Sequence, residues 1–171
     1  YKSHKLKIMK KLILGLFLFG LTTQMFSQIT KLPEVTIKAV NYKYLSAVDA
    51  NVADVNVKNL EDKVAMYNWK NTELYNDEYD TYSVTFYIPD GYIVAAYDDN
   101  GKLIRTIERY KDVKLPMNIR NKVTKKFPNW AIASDVYTVK YESKDGIAKK
   151  QYKLKLTNSG EVIRIKIDGD G

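Results

Sequence analysis

Leu115-Pro116-Met117-Asn118-Ile119-Arg120-Asn121-Lys122-Val123-Thr124-Lys125-Lys126-Phe127-Pro128, together with the runs Val136 to Glu142, Gln151 to Thr157 and Val162 to Asp168, carries the reading of the fold. Ile119, Val123 and Phe127 recur every four residues and so share one face of a helix that Pro116 opens and Pro128 stops. Arg120, Lys122, Lys125 and Lys126 occupy the rest of its surface, and the apolar stripe is too short and narrow for a helix that lies in a membrane surface. The three runs that follow switch to a period of two. Tyr152, Leu154 and Leu156 fall on one side of the pleat and Lys153 and Lys155 on the other, just as Ile163, Ile165 and Ile167 oppose Arg164 and Lys166. Lys144-Asp145-Gly146 and Asn158-Ser159-Gly160 supply turns in which glycine accepts a positive backbone angle, so the runs join as antiparallel neighbours. The prediction is a helix laid on the apolar face of an antiparallel sheet.

Upstream, the same order recurs with more noise. A helix is predicted from about Val57 to Tyr67, with Leu60, Val64 and Tyr67 on one side. Strands follow at Thr81 to Ile88 and Tyr92 to Asp98, joined through Pro89-Asp90-Gly91, and a third runs from Leu103 to Glu108. The turn Asp98-Asp99-Asn100-Gly101-Lys102-Leu103-Ile104-Arg105 lies 59 residues before Thr157-Asn158-Ser159-Gly160-Glu161-Val162-Ile163-Arg164, and both place a small residue and glycine between strand-like runs. The reading is therefore an α+β chain of two helix-plus-antiparallel-sheet rounds, residues 51–110 and 111–171. In the first round Tyr82, Val84, Phe86 and Ile88 are expected on one face, and Tyr87, Ile93 and Tyr97 on the other, making that sheet half-buried or partner-facing. Residues 28–50 are read as an N-terminal extension, with Val35 to Leu45 as an added edge strand.

The start of the chain reads as a cleavable signal peptide behind an upstream extension, together residues 1–27. Met9, Lys10 and Lys11 precede the apolar run Leu12 to Leu21, and polar residues lead to a cut after Ser27. The apolar run is ten residues long, too short to span a bilayer, and no cysteine follows it to take a lipid anchor. Export to the periplasm or the medium is the expected location. Removing residues 1–27 removes five lysines and no acid, so the formal charge of +8 over 171 residues falls to +3 over 144. A balance of +3 does not predict nucleic acid as a partner.

The chain has no cysteine, and its one histidine, His4, lies in the segment read as cleaved. Thiol chemistry, histidine triads and His/Cys zinc sites are excluded on that reading, and no glycine-rich phosphate loop is present. Glu73, Asp77, Glu78 and Asp80 form the densest acidic run, in a Tyr/Asn-rich segment that reads as a solvated loop rather than a carboxylate hydrolase site. Asp98-Asp99-Asn100-Gly101 and Asp168-Gly169-Asp170-Gly171 lack the full spacing of a calcium loop and read as turns. No catalytic residue, metal ligand or cofactor is predicted. Tyrosine is abundant at 14, a residue that suits strands and protein-binding surfaces alike.

Tyr97 to Lys102, Leu115-Pro116 through Lys126-Phe127-Pro128, Tyr137-Thr138-Val139-Lys140-Tyr141 and Tyr152-Lys153-Leu154-Lys155-Leu156 before Gly160 form a familiar layout. Over about residues 51–171 the chain resembles the PepSY-like, beta-lactamase-inhibitor-protein-like family of exported Bacteroidetes-type proteins. The resemblance implies a tandem helix-plus-sheet fold without enzyme activity, in which the open sheet face binds protein; it supplies no catalytic motif and no particular target. From the residues themselves, Lys140, Lys153, Lys155, Arg164 and Lys166 are expected on that open face, with Tyr141 as a further partner-binding candidate. The function expected is a non-catalytic, exported protein- or peptide-binding module, inhibitor-like in mode. The alternative is a structural envelope component with no discrete binding site.

Overall fold

The structure is a computed structural model, and it describes residues 41–48, 54–73 and 78–169. The predicted signal segment, residues 28–40 of the extension and the acidic residue Asp77 lie outside the described residues. In chain order the elements are α1 (Tyr42–Val48), α2 (Val55–Met66), a short 3-10 turn (Trp69–Asn71), β1 (Thr81–Ile88), β2 (Gly91–Asp98), β3 (Leu103–Lys111), α3 (Met117–Lys126), β4 (Ala131–Glu142), β5 (Ile147–Asn158) and β6 (Glu161–Asp168). All six strands form one sheet in the order β1-β2-β3-β4-β5-β6, antiparallel throughout. The fold is α+β, and none of its described helices is long and apolar enough to cross a membrane.

Local chemistry sets the helix ends. Asp54 caps α2, its Oδ1 accepting from the backbone N–H groups of Asn56 at 2.9 Å and Val57 at 3.3 Å. Its second oxygen accepts from the N–H of Lys114 at 2.9 Å, so one aspartate ties the start of α2 to the approach to α3. Val57, Leu60 and Val64 are buried on one side of α2, and Ile119 and Val123 on one side of α3. Both helices are shifted from the expected limits by up to two residues, as fraying ends allow.

The expected edge strand from Val35 to Leu45 is corrected where it can be seen, because residues 42–48 are helical. Tyr44 and Val48, four residues apart, are both buried, a helical spacing that a period-two reading misses. Asn41 fixes the entry to α1, donating from its side chain to the carbonyl of Ala65 and accepting from the N–H of Leu103 at 2.8 Å. Tyr44 packs edge-on against Tyr141, with ring centroids 5.4 Å apart.

Hairpin registers decide which side chains face the helices. Ile88 pairs with Gly91 across the Pro89-Asp90 turn, which places Phe86 opposite Ile93 and Tyr82 opposite Tyr97 on the same, helix-covered face. Ile93 and Tyr97 are fully buried, so the expectation that they share a face with Tyr87 is corrected; Tyr87 alone points outward, 74% exposed. Gly91 is required at this corner, since a Cβ there would sit 2.3 Å from the Tyr110 ring and 2.7 Å from the Arg109 carbonyl oxygen. Along β3, Ile104 is an extra residue in the pairing with β2, and this bulge changes which side chains turn inward. Leu103 is buried, yet so are Thr106, Glu108 and Tyr110, while Ile107 is exposed. A second bulge at Ala133 in β4 lets Ala131 and Ile132 pair with Thr157 and Leu156. It carries the strand five residues beyond the run Val136 to Glu142 that alternation reveals.

Candidate docking face and buried acid cluster

Strands β3 to β6 present one face to the core and one to solvent, and the register places the predicted lysines on the outer one. Lys153 of β5 stands directly opposite Lys166 of β6, Lys155 opposite Arg164, and Lys140 of β4 opposite Lys149 of β5. Arg105, Arg109 and Lys111 of β3 alternate onto the same face, against two acids, Glu142 and Asp168. The outer face of β3 to β6 therefore carries nine cations and two anions. Like charges placed directly across a strand pair repel and weaken the pairing, and here three such pairs occur within a few residues of one another. Thr138, Gln151 and Asp168 line a depression of about 470 Å³ on this face with Lys140 and Lys149. Exposed Ile107, Ile147 and Val162 add apolar area among the cations.

Tyr141 does not belong to this surface. Successive strand residues point to opposite sides, so an outward Lys140 forces Tyr141 inward, where it is 2% exposed against Tyr44. Buried tyrosines in fact line the core: Tyr110, Tyr137 and Tyr152 sit opposite one another on β3, β4 and β5. Their rings stack at 6.0 Å and 4.5 Å between centroids. Lys149, Arg105, Arg109 and Lys111 join the outer face without having been picked out from the sequence. For Arg105, Arg109 and Lys111 the alternation of β3 carries the signal, interrupted by the exposed Ile107 on the same face.

Beneath the sheet lies a polar cluster that pattern reading missed. Glu108 is 1% exposed, and its Oε1 accepts from the hydroxyls of Tyr44 and Thr106, each at 2.8 Å, while Oε2 accepts from Tyr110 at 2.9 Å. Glu61 of α2, also 1% exposed, interacts with the same carboxyl group. Burial raises the Glu108 pKa, and the hydrogen bonds from Thr106, Tyr44 and Tyr110 oppose that rise without cancelling it. The tyrosine hydroxyls shift too: burial first, and then the charge of Glu108, raise both Tyr44 and Tyr110. This arrangement can hold a proton between two carboxyl groups, but at 1% exposure neither acid can touch a solute. It braces α1 and α2 against β3.

A second acid site marks the loop between β3 and α3. Asp135 of β4 accepts from the N–H of Val113 at 3.3 Å, and its own N–H donates to Asp112 at 3.1 Å. Burial, with the nearby charges of Asp112 and Asp54 adding to it, raises the Asp135 carboxyl to about 6. The Asp98-Asp99-Asn100-Gly101 turn is closed on itself: Asp98 Oδ1 accepts from the N–H groups of Asn100 and Lys102. Comparison with protein-family models, curated proteins and solved structures returns no match.

Proposed function

We propose that the chain is a non-catalytic binding module that offers the outer face of β3 to β6 to an acidic protein or peptide. The observation that carries this reading is the charge pattern: nine cations to two anions, with Lys153–Lys166, Lys155–Arg164 and Lys140–Lys149 directly opposed. A solvated face with no partner gains nothing from like charges across a ladder, whereas an anionic partner converts that repulsion into attraction and speeds encounter. In the same reading α2-β1-β2-β3 and α3-β4-β5-β6 are two rounds of one unit, as in the PepSY-like and BLIP-like proteins the sequence resembles. The chain is exported, with residues 1–27 as its signal, and works in the periplasm or outside the cell.

Affinity capture from an envelope extract tests the face. A variant carrying Lys153, Lys155, Arg164 and Lys166 each changed to Glu, shown by circular dichroism to be folded, should fail to retain the acidic protein that the unaltered chain retains. Retention by both, or by neither, sinks the proposal and leaves a structural envelope component as the better reading. Export is tested separately by N-terminal sequencing of the recovered protein, expected to begin at Gln28; a protein recovered only from the cytoplasm with residues 9–27 intact overturns it.

A further inference from the structure

On the helix side of the sheet, away from the face discussed above, α3 and the edge strand β6 enclose a groove of about 540 Å³. Its floor is apolar, formed by Val123 and Phe127 of the helix end and Ile165 and Ile167 of the strand. Phe127, Ile165 and Ile167 are only half-buried, so water wets apolar surface that a ligand could cover. Its rim is cationic: Lys122, Lys125 and Lys126 of α3 line it with no acid among the described residues, while Lys166 of β6 turns its side chain to the outer face. The Lys126 ammonium stands 5.8 Å from the centre of the Phe127 ring, at the boundary between rim and floor. Lys125 and Lys126 are favoured where they are because they lie in the last turn of α3, at the negative end of its dipole. That does not account for Lys122, which faces both other helix lysines at the spacings where like charges repel.

An apolar slot of this volume with one-signed polar groups at its mouth has the form of a small-molecule site. We infer that the groove between α3 and β6 binds a fatty-acid anion, its alkyl chain against Val123, Phe127, Ile165 and Ile167 and its carboxylate among the three helix lysines. A zwitterion would gain no more from the rim than a neutral amphiphile, and a cationic one would be repelled. The inference does not depend on the docking role of the outer face, which uses different side chains.

Titration of the full chain with laurate, kept below micelle formation and followed through the fluorescence of the nearby Trp130 and by calorimetry, tests it. Saturable binding of one laurate per chain is expected, at least tenfold tighter than dodecyl maltoside and undetectable for dodecyltrimethylammonium. Changing Lys122, Lys125 and Lys126 together to Gln should weaken laurate at least tenfold with an unchanged Tm. Filling the slot with Ile165→Trp should weaken laurate and maltoside alike; if that variant fails to fold, the lysine variant still decides. The inference falls if laurate does not saturate, if the three head groups bind equally, or if the lysine variant binds as well as the unaltered chain. It falls also if dodecyl phosphate binds tenfold tighter than laurate, or if only phosphatidylglycerol vesicles bind, which would make the feature a phosphate site or a membrane contact.

Discussion

Strands β3 to β6 have two faces built from alternate residues of the same ladders, and the two hold opposite kinds of energy. The inner face carries Tyr110, Tyr137, Tyr152, Val139 and Leu154, stacked or packed beneath the helices. The outer face carries nine cations whose cross-strand neighbours repel. Burial on one side offsets repulsion on the other, so the sheet tolerates an outer surface whose cross-strand neighbours repel. The stability of the fold and the charge of its outer face are thus separable along a single strand, one residue apart.

Lys140 and Tyr141 give the widest contrast. Tyr141→Ala should cost about 3–5 kcal/mol of unfolding free energy, because it empties a packed aromatic site, while Lys140→Ala should stay within about 0.5 kcal/mol. Urea denaturation of both variants measures the difference, and equal effects would mean that the two faces are not energetically distinct.

The buried acid is the inner face's own exception. Glu108→Ala should destabilise by about 1–3 kcal/mol, since the hydroxyls of Tyr44, Thr106 and Tyr110 lose the acceptor they share. Its titration has a definite sign. The folded-state pKa is raised, so the favourable contribution is complete below the unfolded carboxyl range and is lost as pH rises from there toward the folded value. Stability measured across acidic to neutral pH should therefore fall more steeply in the unaltered chain than in the Ala variant.

Asp135 should show a smaller effect of the same sign, on the order of 1 kcal/mol, between its ordinary value of 3.8 and about 6. Asp135→Asn, which can still accept from Val113, should flatten the stability profile in that window; an unchanged slope would show that the carboxyl is solvated.

The smallest effect falls on the outer face and has the opposite sign. Lys153→Thr removes a like-charge pair with Lys166 and places a good strand former in its place, so stability should rise by a few tenths of a kcal/mol. A loss of stability there would mean that the lysines support the sheet rather than burden it.

Much of this was legible because short-range rules fixed it. Thr81–Ile88 coincides with the predicted strand, and the alternation of β5 and β6 placed Lys153, Lys155, Arg164 and Lys166 on one side. Tyr141 was misplaced against the same rule, since a neighbour of Lys140 must face the other way. Lys150 shows a different limit: it turns inward at 6% exposure, breaking the polar-out rhythm at the start of β5, which begins at Ile147 rather than at the predicted Gln151.

By itself, the sequence determined the helical stripe of α3, the turns at Asn100-Gly101 and Ser159-Gly160, and the alternation of the last strands, because each depends on residues within a few positions of one another. Tertiary structure decided the rest. The bulge at Ile104 turned Glu108 inward and Ile107 outward, and burial beside Tyr44, Tyr110 and Glu61 depends on partners up to 64 residues away. Pairing of β3 with β4 joined six strands into one sheet, and only that registry brought nine cations from four strands onto a single face. A period-two pattern fixes which residues share a side of one strand; which side meets the core is settled by everything packed against it.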